Sequence, residues 1–512
     1  MKKILTFILC SAMLFGCVAC GNTYNERNEG MLSFEGSNLF KLTTAEDFAE
    51  GVMEGVEPAA VGNGAVQLSD GVLEGTFTSA EFCCDNFTRM VASWNASIPD
   101  GASVEIFGRA RMKSQDTEEV IWSDWLTWGK FSPYMKRGTT QNKQGAGGYV
   151  DQDTFCAVSG CFDGFQMKAV IRRDSAEIAS PVLRELTMTF AGGDMVPGYA
   201  EEIIELPAQA LCPSPAYSQS IRWDVVSDSI CSPTTISVML NTINPELDLL
   251  PEEVALCSKD LAEGIFGSWS FCTSFAGCYG YECYAQYGGK DIILQELAKG
   301  HPVGLSVAYN TRNLTGAWGS TGGHLITLIG YEYEDGIMDD DHLYIFSSDS
   351  FSRDDCESYR RYKWTELANL EDSSFVCYVL ASTEREEECA GVQRISAGIE
   401  KGAETDQWIL VDEEGNQISL DGFRNRRGFL CYTIEGVATD MTRDTYESKC
   451  SVVYPNAVNV SANNTFTYLS ANNDSTFTLN KKDALKAAGV KKGTITVYAI
   501  GDSGYMYIGE LK

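Results

Sequence analysis

A chain of 512 residues is long enough for about three domains of roughly 100–200 residues each. Charged residues make up 21% and hydrophobic ones 44%, and 39 Lys and Arg stand against 71 Asp and Glu, a formal charge of −32. That balance excludes disordered, collagen-like, coiled-coil and polytopic membrane classes. It also argues against nucleic acid as a partner, because phosphate backbones are bound by clustered positive charge.

The N-terminus reads as an export address. Lys2 and Lys3 precede the apolar run Ile4–Cys10, which is too short to span a bilayer and has the build of a secretory signal over residues 1–20. Small residues then precede cysteine twice, in Leu14-Phe15-Gly16-Cys17 and in Val18-Ala19-Cys20. Both resemble the bacterial lipoprotein box, whose cysteine becomes the lipid-modified first residue of the mature chain. Cys17 fits slightly better than Cys20. The polar stretch Asn22–Gly30 would then be a tether, with the protein lipid-anchored outside the cytoplasm or, without the anchor, secreted.

Residues 31–200 read as β-rich. The strand-like segments Val104–Ile106, Phe165–Val170 and Leu186–Phe190 fit half-buried antiparallel strands, with alternation clear in the latter two, and Pro181 stands just ahead of the last, where a missing N–H does no harm. With Trp94, Trp122, Trp125 and Trp128 they predict a β-sandwich, the tryptophans mainly filling its core and a role in glycan binding remaining open. Residues 192–207 read as a linker.

Over residues 208–383 the pattern changes. A helix is expected from Pro233, with proline in its first turn; a second from Pro251-Glu252-Glu253, acids at its positive end; and a third over Asp291–Lys299, stopped by Gly300. Strands are expected at Pro302–Tyr309, Leu325–Tyr333, Leu343–Ser347 and Phe375–Ala381. Helices followed by an antiparallel sheet make an α+β domain. Residues 385–512 form a third, small β-rich unit, with hairpins predicted around Glu414-Gly415-Asn416 and between Thr494–Ala499 and Tyr505–Ile508.

The middle unit carries the chemistry. Cys231 sits at a helix start, where the positive end of the dipole favours a thiolate. His324 follows Gly322-Gly323, which leave room for a substrate backbone, and opens a strand; Asp349 ends the next strand 25 residues later. Neighbouring strands can bring the carboxylate to the imidazole and fix its tautomer. Gln219, twelve residues before Cys231, can donate an amide hydrogen to a developing oxyanion. Order, element type and spacing fit a cysteine nucleophile, a histidine base, an aspartate that orients it and a glutamine donor. No metal and no cofactor is expected. Cys257, Cys272, Cys278 and Cys283 lack CxxC spacing, and His301 and His342 are expected to be solvated.

The segments Pro215–Gln219, Cys231-Ser232-Pro233-Thr234, Gly323-His324, Gly330-Tyr331 and Ser348-Asp349 resemble the peptidase C39-like domain of the papain superfamily, related to the bacteriocin-processing peptidases. The resemblance implies a papain-like fold over residues 208–383, Cys231 as nucleophile, His324 as base, Asp349 as orienter and Gln219 as oxyanion donor. The unit before it looks like the sandwich that often precedes such domains. Three features depart from the pattern. Ile230 and Ser232 replace the glycines usual beside the nucleophile, Ser350 replaces the common proline, and an insertion at residues 271–289, rich in Cys, Tyr and Gly, is expected to cover or replace part of the cleft.

The resulting expectation is an extracytoplasmic, membrane-tethered cysteine peptidase acting on peptides or proteins through a thioester. Two alternatives remain open: cell-wall peptide amidase activity by the same triad, and a non-catalytic surface lipoprotein whose β units bind glycan or peptide.

Overall fold

The computed structural model describes residues 30–512 apart from 60–63, 114–119, 135–136, 139–142, 225, 371–373, 383, 385–390, 392, 426, 436–453, 455–465 and 502. The segment expected to be a secretory signal, with Cys17 and Cys20, lies outside the described residues. No described helix is long and apolar enough to cross a membrane.

Strands between Leu32 and Ala191 build two sheets of eight strands each. The strands expected here are longer than their alternating centres: Ala102–Lys113, Phe162–Arg173 and Val182–Ala191. Their inner faces share one core, in which Phe40 of one sheet meets Phe165 of the other at 5.0 Å between ring centroids and Phe87 meets Phe190 at 4.8 Å. The tryptophans divide. Trp94 and Trp128 are buried in the core, while Trp122 and Trp125 lie outside it with the Arg109 guanidinium 4.6 and 4.9 Å from their ring centroids. Both arrangements bury the apolar body of the ring.

Residues 192–207 are a bound crossing rather than a loose linker. The Tyr199 hydroxyl donates to Glu296, Lys41 pairs with Glu201 at 2.5 Å, and the Ile204 amide donates to Gln295 Oε1 at 2.8 Å.

The middle unit is a central helix on an antiparallel sheet. The sheet runs in the order Cys283–Tyr287, Val376–Leu380, Val303–Tyr309, Thr321–Tyr333, Leu343–Ser348 and Tyr359–Lys363, with Gln209–Leu211 paired to the far end of Thr321–Tyr333. Val303–Tyr309 is buried along its whole length, which is why it reads as an apolar run and not as an alternation. The helix Cys231–Ile243 starts two residues before Pro233, and Ser232 to Asn241 are buried, so it is covered all round. Gly304 lets it approach the sheet: a Cβ there would lie 2.8 Å from Thr235 and 2.9 Å from Tyr378. Pro251–Ser258 forms as expected, with Glu253 accepting the Leu250 amide at 3.0 Å. Lys290–Ala298 also forms, and Gly300 at φ 88° ends it.

The insertion at residues 271–289 is built into the packed body of the fold. Its first part belongs to the helix Trp269–Cys278, which packs against the N-terminal sheets; Phe271 meets Trp94 at 6.2 Å and Ser270 Oγ donates to the Ala92 carbonyl at 2.6 Å. Its second part is the sheet strand Cys283–Tyr287. Its richness in Cys, Tyr and Gly reflects close packing against a second domain. The expectation that His301 is solvated fails: it is buried, with Nδ1 2.9 Å from Glu296 Oε2, because a histidine one turn past a helix end can reach back to an acid of that helix. His342 is half-exposed, 2.7 Å from Asp339 Oδ1.

The last unit is a seven-stranded sheet spanning Gln393–Leu511, in which Ile495–Gly501 and Tyr505–Leu511 form the second predicted hairpin. Around Gly415, at φ 82°, only Gln407–Val411 is a strand; the returning segment makes single contacts such as the Ile418 amide to the Leu410 carbonyl at 2.8 Å. Arg394 joins this unit to the middle one through Glu253 at 2.9 Å.

Candidate active site

Three of the four residues singled out from sequence form one hydrogen-bonded chain. Cys231 is the first residue of its helix and is half-buried. His324 lies in the strand Thr321–Tyr333, opposite Val307, and is 5% exposed. Asp349 follows directly on the strand Leu343–Ser348, which pairs with the histidine strand through Thr327 and Ser348, and it is fully buried. This register brings His324 Nε2 to 2.8 Å from Asp349 Oδ1. The other ring nitrogen is then left for the thiol, and the imidazole hydrogen-bonds the Cys231 side chain.

The electrostatics favour a thiolate–imidazolium pair. Burial alone would push the Cys231 thiol up, but the hydrogen bond and charge of His324, with the Leu325 and Ser232 amides, bring it below the ordinary thiol range. Burial would likewise push the imidazole down, yet Asp349 and the Cys231 sulfur together raise it to about 10. Asp349 stays below the usual carboxylate range despite its burial, held by the His324 charge and hydrogen bond, the Tyr362 hydroxyl and the Arg360 charge.

Asp349 accepts more donors than the sequence announced. Oδ1 takes the imidazole and the Phe351 amide at 3.0 Å, while Oδ2 takes the hydroxyls of Tyr309 at 2.9 Å and Tyr362 at 2.7 Å. Phe351 also stands edge-on to the imidazole at 6.0 Å and packs against the partly exposed Trp318 at 4.9 Å. The chain beside the imidazole is open: a Cβ at Gly322 or Gly323 would meet nothing within 4 Å.

Gln219 begins a short 3-10 turn and is 6% exposed. Its Oε1 accepts the Ser350 hydroxyl at 2.7 Å, its backbone amide donates to the Ser350 carbonyl at 2.9 Å, and its Nε2 donates to the Ser227 carbonyl at 2.8 Å. Among the described residues this leaves one Nε2–H without a protein acceptor. Ser218 beside it donates its amide to the buried Asp355 at 2.8 Å. Asp355, six residues after Asp349, thus holds the glutamine loop.

The departures from the family pattern have structural roles. Ser350 orients Gln219. The Ser232 hydroxyl lies 2.5 Å from the Tyr378 hydroxyl and 3.1 Å from the Cys272 sulfur, tying the start of the nucleophile helix to the sheet and to the helix Trp269–Cys278. Cys257, Cys272, Cys278 and Cys283 are buried free thiols, and Cys356 is disulfide-bonded.

Comparison with known proteins gives two family matches. A protein-family model described as "Peptidase_C39 like family" matches residues 213–376, and one described as "Peptidase C39 N-terminal domain" matches residues 38–191. No curated protein matches the chain. Solved structures with a likeness include carbohydrate-binding modules from the β-sandwich superfamily, at 17% identity and TM-score 0.13, covering 32% of this chain and 57% of that one. The CBM22-1–GH10 modules of Clostridium thermocellum endo-1,4-β-D-xylanase 10B with xylohexaose align at 11% identity and TM-score 0.14, covering 40% of this chain and 33% of that one. This chain spans less than two thirds of either structure, and likenesses this weak bear on neither fold nor function. The family matches assign residues 213–376 to the peptidase C39-like family, behind a peptidase C39 N-terminal domain at residues 38–191.

Proposed function

We propose that the protein is an extracytoplasmic cysteine peptidase, tethered to a membrane through lipidated Cys17 or Cys20, that hydrolyses peptide bonds in peptides or proteins. One observation carries the catalytic part of this reading: the hydrogen-bonded chain from Cys231 through His324 to the buried Asp349, with Nε2 2.8 Å from Oδ1. A peptidase C39-like match over the same residues supports it.

In this reading the Cys231 thiolate attacks the scissile carbonyl. The oxyanion is held by the free Nε2–H of Gln219 and by backbone N–H groups at the helix start, which have no partner inside the helix. The His324 imidazolium gives its proton to the leaving amine, so that a thioester and a neutral imidazole remain. The imidazole then takes a proton from water as it attacks the thioester, which releases the acid and restores the thiolate–imidazolium pair. Asp349 holds the ring and balances its charge throughout without taking the proton.

The test is cleavage of a proteome-derived peptide mixture, read by mass spectrometry of new termini. Wild type should generate a recurrent set of termini, and Cys231→Ala should generate none while still binding the cleaved peptides. Cleavage that survives in Cys231→Ala would overturn the assignment.

A further inference from the structure

The donors on the far oxygen of Asp349 have no part in bond-making, yet they come from two separate strands and converge on one atom. Tyr309 ends the strand Val303–Tyr309, and Tyr362 lies in Tyr359–Lys363, on opposite sides of the histidine and aspartate strands. Their hydroxyls reach the same Oδ2 at 2.9 and 2.7 Å, and the rings are 3% and 0% exposed. A phenol buried in an apolar sheet usually meets a backbone carbonyl or stays at the edge. Two phenols spent on one carboxylate oxygen form a site built for a negative charge.

We propose that Tyr309 and Tyr362 are positioning residues that keep Asp349 ionised and fixed in the plane that serves His324. The proposal rests on the cysteine peptidase reading above.

A carboxylate can turn about its Cα–Cβ and Cβ–Cγ bonds, and a turned carboxylate no longer presents Oδ1 to Nε2. The Phe351 amide and the imidazole hold Oδ1, and the two phenols hold Oδ2, so neither oxygen can leave without breaking two hydrogen bonds. Removing an ionised acid from water also disfavours its charge unless donors replace the lost hydration. Four donors do so here, with Arg360 on the Tyr362 strand adding positive charge. The phenols remain donors throughout the working range. Burial first, and Asp349 second, push both hydroxyls above their ordinary ionisation range. The charged and titratable groups facing Asp349 are therefore His324, Tyr309, Tyr362 and Arg360, with Cys231 beyond the imidazole.

Tyr→Phe keeps the ring and removes only the donor. Losing one hydrogen bond to a buried carboxylate raises its protonation point, and once Asp349 is neutral it no longer supports the imidazolium. The acid limb of Cys231 reactivity should therefore move up by about one pH unit in Tyr309→Phe or Tyr362→Phe, and by about two in the double variant. The experiment follows alkylation of Cys231 by iodoacetamide from pH 4 to 10, by peptide mass spectrometry, in wild type and the three variants. Thermal unfolding of each is recorded alongside.

An upward shift in variants that remain folded supports the clamp. Variants with a lower unfolding temperature but a superimposable profile would make the tyrosines structural only and overturn it. If Tyr362→Phe, wholly buried, fails to fold, Tyr309→Phe carries the same test. A wild-type profile with an ordinary thiol inflection near pH 8.5 would refute the underlying ion pair itself, which distinguishes that failure from failure of the clamp.

Discussion

Asp349→Asn is the most informative single substitution, because it removes the charge and keeps the shape. The amide can present its oxygen to the imidazole and the Phe351 amide, and its NH2 to Tyr309 and Tyr362, whose hydroxyls can turn to accept. What disappears is the attraction between a carboxylate and an imidazolium that is 5% exposed. Two unit charges about 4 Å apart, at an effective dielectric of about 20, interact by about 4 kcal/mol. That corresponds to about three pH units, close to the distance His324 is raised from 6.5 to about 10. With the thiol lowered and the imidazole raised, the wild-type site favours the ion pair over the neutral pair. Removing about 4 kcal/mol shifts that balance by about a thousandfold towards the neutral pair. Single-turnover acylation near pH 7 should fall by roughly a hundredfold to ten-thousandfold, with substrate binding nearly unchanged. The assay is a rapid-quench time course with an activated ester substrate, with alkylation of Cys231 as the parallel readout. A variant within about threefold of wild type in both would refute Asp349 as the group that supports His324.

Other perturbations have equally definite outcomes. Gln219→Ala should lower turnover by roughly a hundredfold, about 3 kcal/mol, without raising KM, in steady-state kinetics. Ser350→Ala should lower it by roughly threefold to tenfold in wild type and by nothing further in Gln219→Ala, because its hydroxyl acts through that amide; an additive double variant would disprove the coupling. Asp153, buried where it accepts the Trp269 amide, has its carboxyl pushed up by burial to about 7. The folded state then holds a proton that the unfolded state gives up near pH 4, so this group's contribution declines as pH rises from about 4 to 7, by about 4 kcal/mol in all. Urea unfolding at several pH values should show that decline in wild type and its absence in Asp153→Asn. Mass spectrometry of the mature N-terminus should find a lipid on Cys17 or Cys20; an unmodified start beyond Cys20 would remove the tether.

What the sequence could reveal follows from the reach of each interaction. Cys231 was legible because its place at a helix start is written locally, in a cysteine followed by Pro233 and an apolar run. His324 and Asp349 were legible because adjacent antiparallel strands of known spacing meet predictably. Tyr309 and Tyr362 were not. A tyrosine within an apolar strand has the pattern of a core residue, and only the closed sheet shows that two of them share one carboxylate oxygen. Ser350 read as a departure from a family pattern, and only its 2.7 Å contact with Gln219 gives it a purpose. The helix Trp269–Cys278 read as an insertion because its partners, Trp94 and Ala92, lie about 180 residues away in another domain. His301 misled for the opposite reason: its partner Glu296 is only five residues away, but a polar residue before Pro302 reads as surface.

The central claim is that Cys231 is a thiolate at a pH where other thiols are not. The described free cysteines provide internal controls, among them Cys84, Cys156 and Cys161, which like Cys231 are only half-buried. Burial pushes the thiols of Cys84 and Cys156 up, whereas His324 brings that of Cys231 down against its burial. Isotope-coded alkylation of the native protein at pH 6, quantified cysteine by cysteine, measures this directly. Cys231 should react first, by about tenfold or more over every other described free cysteine, and lose that lead in His324→Ala. Faster modification of Cys84, Cys156 or Cys161, or a lead for Cys231 that survives His324→Ala, would contradict the account.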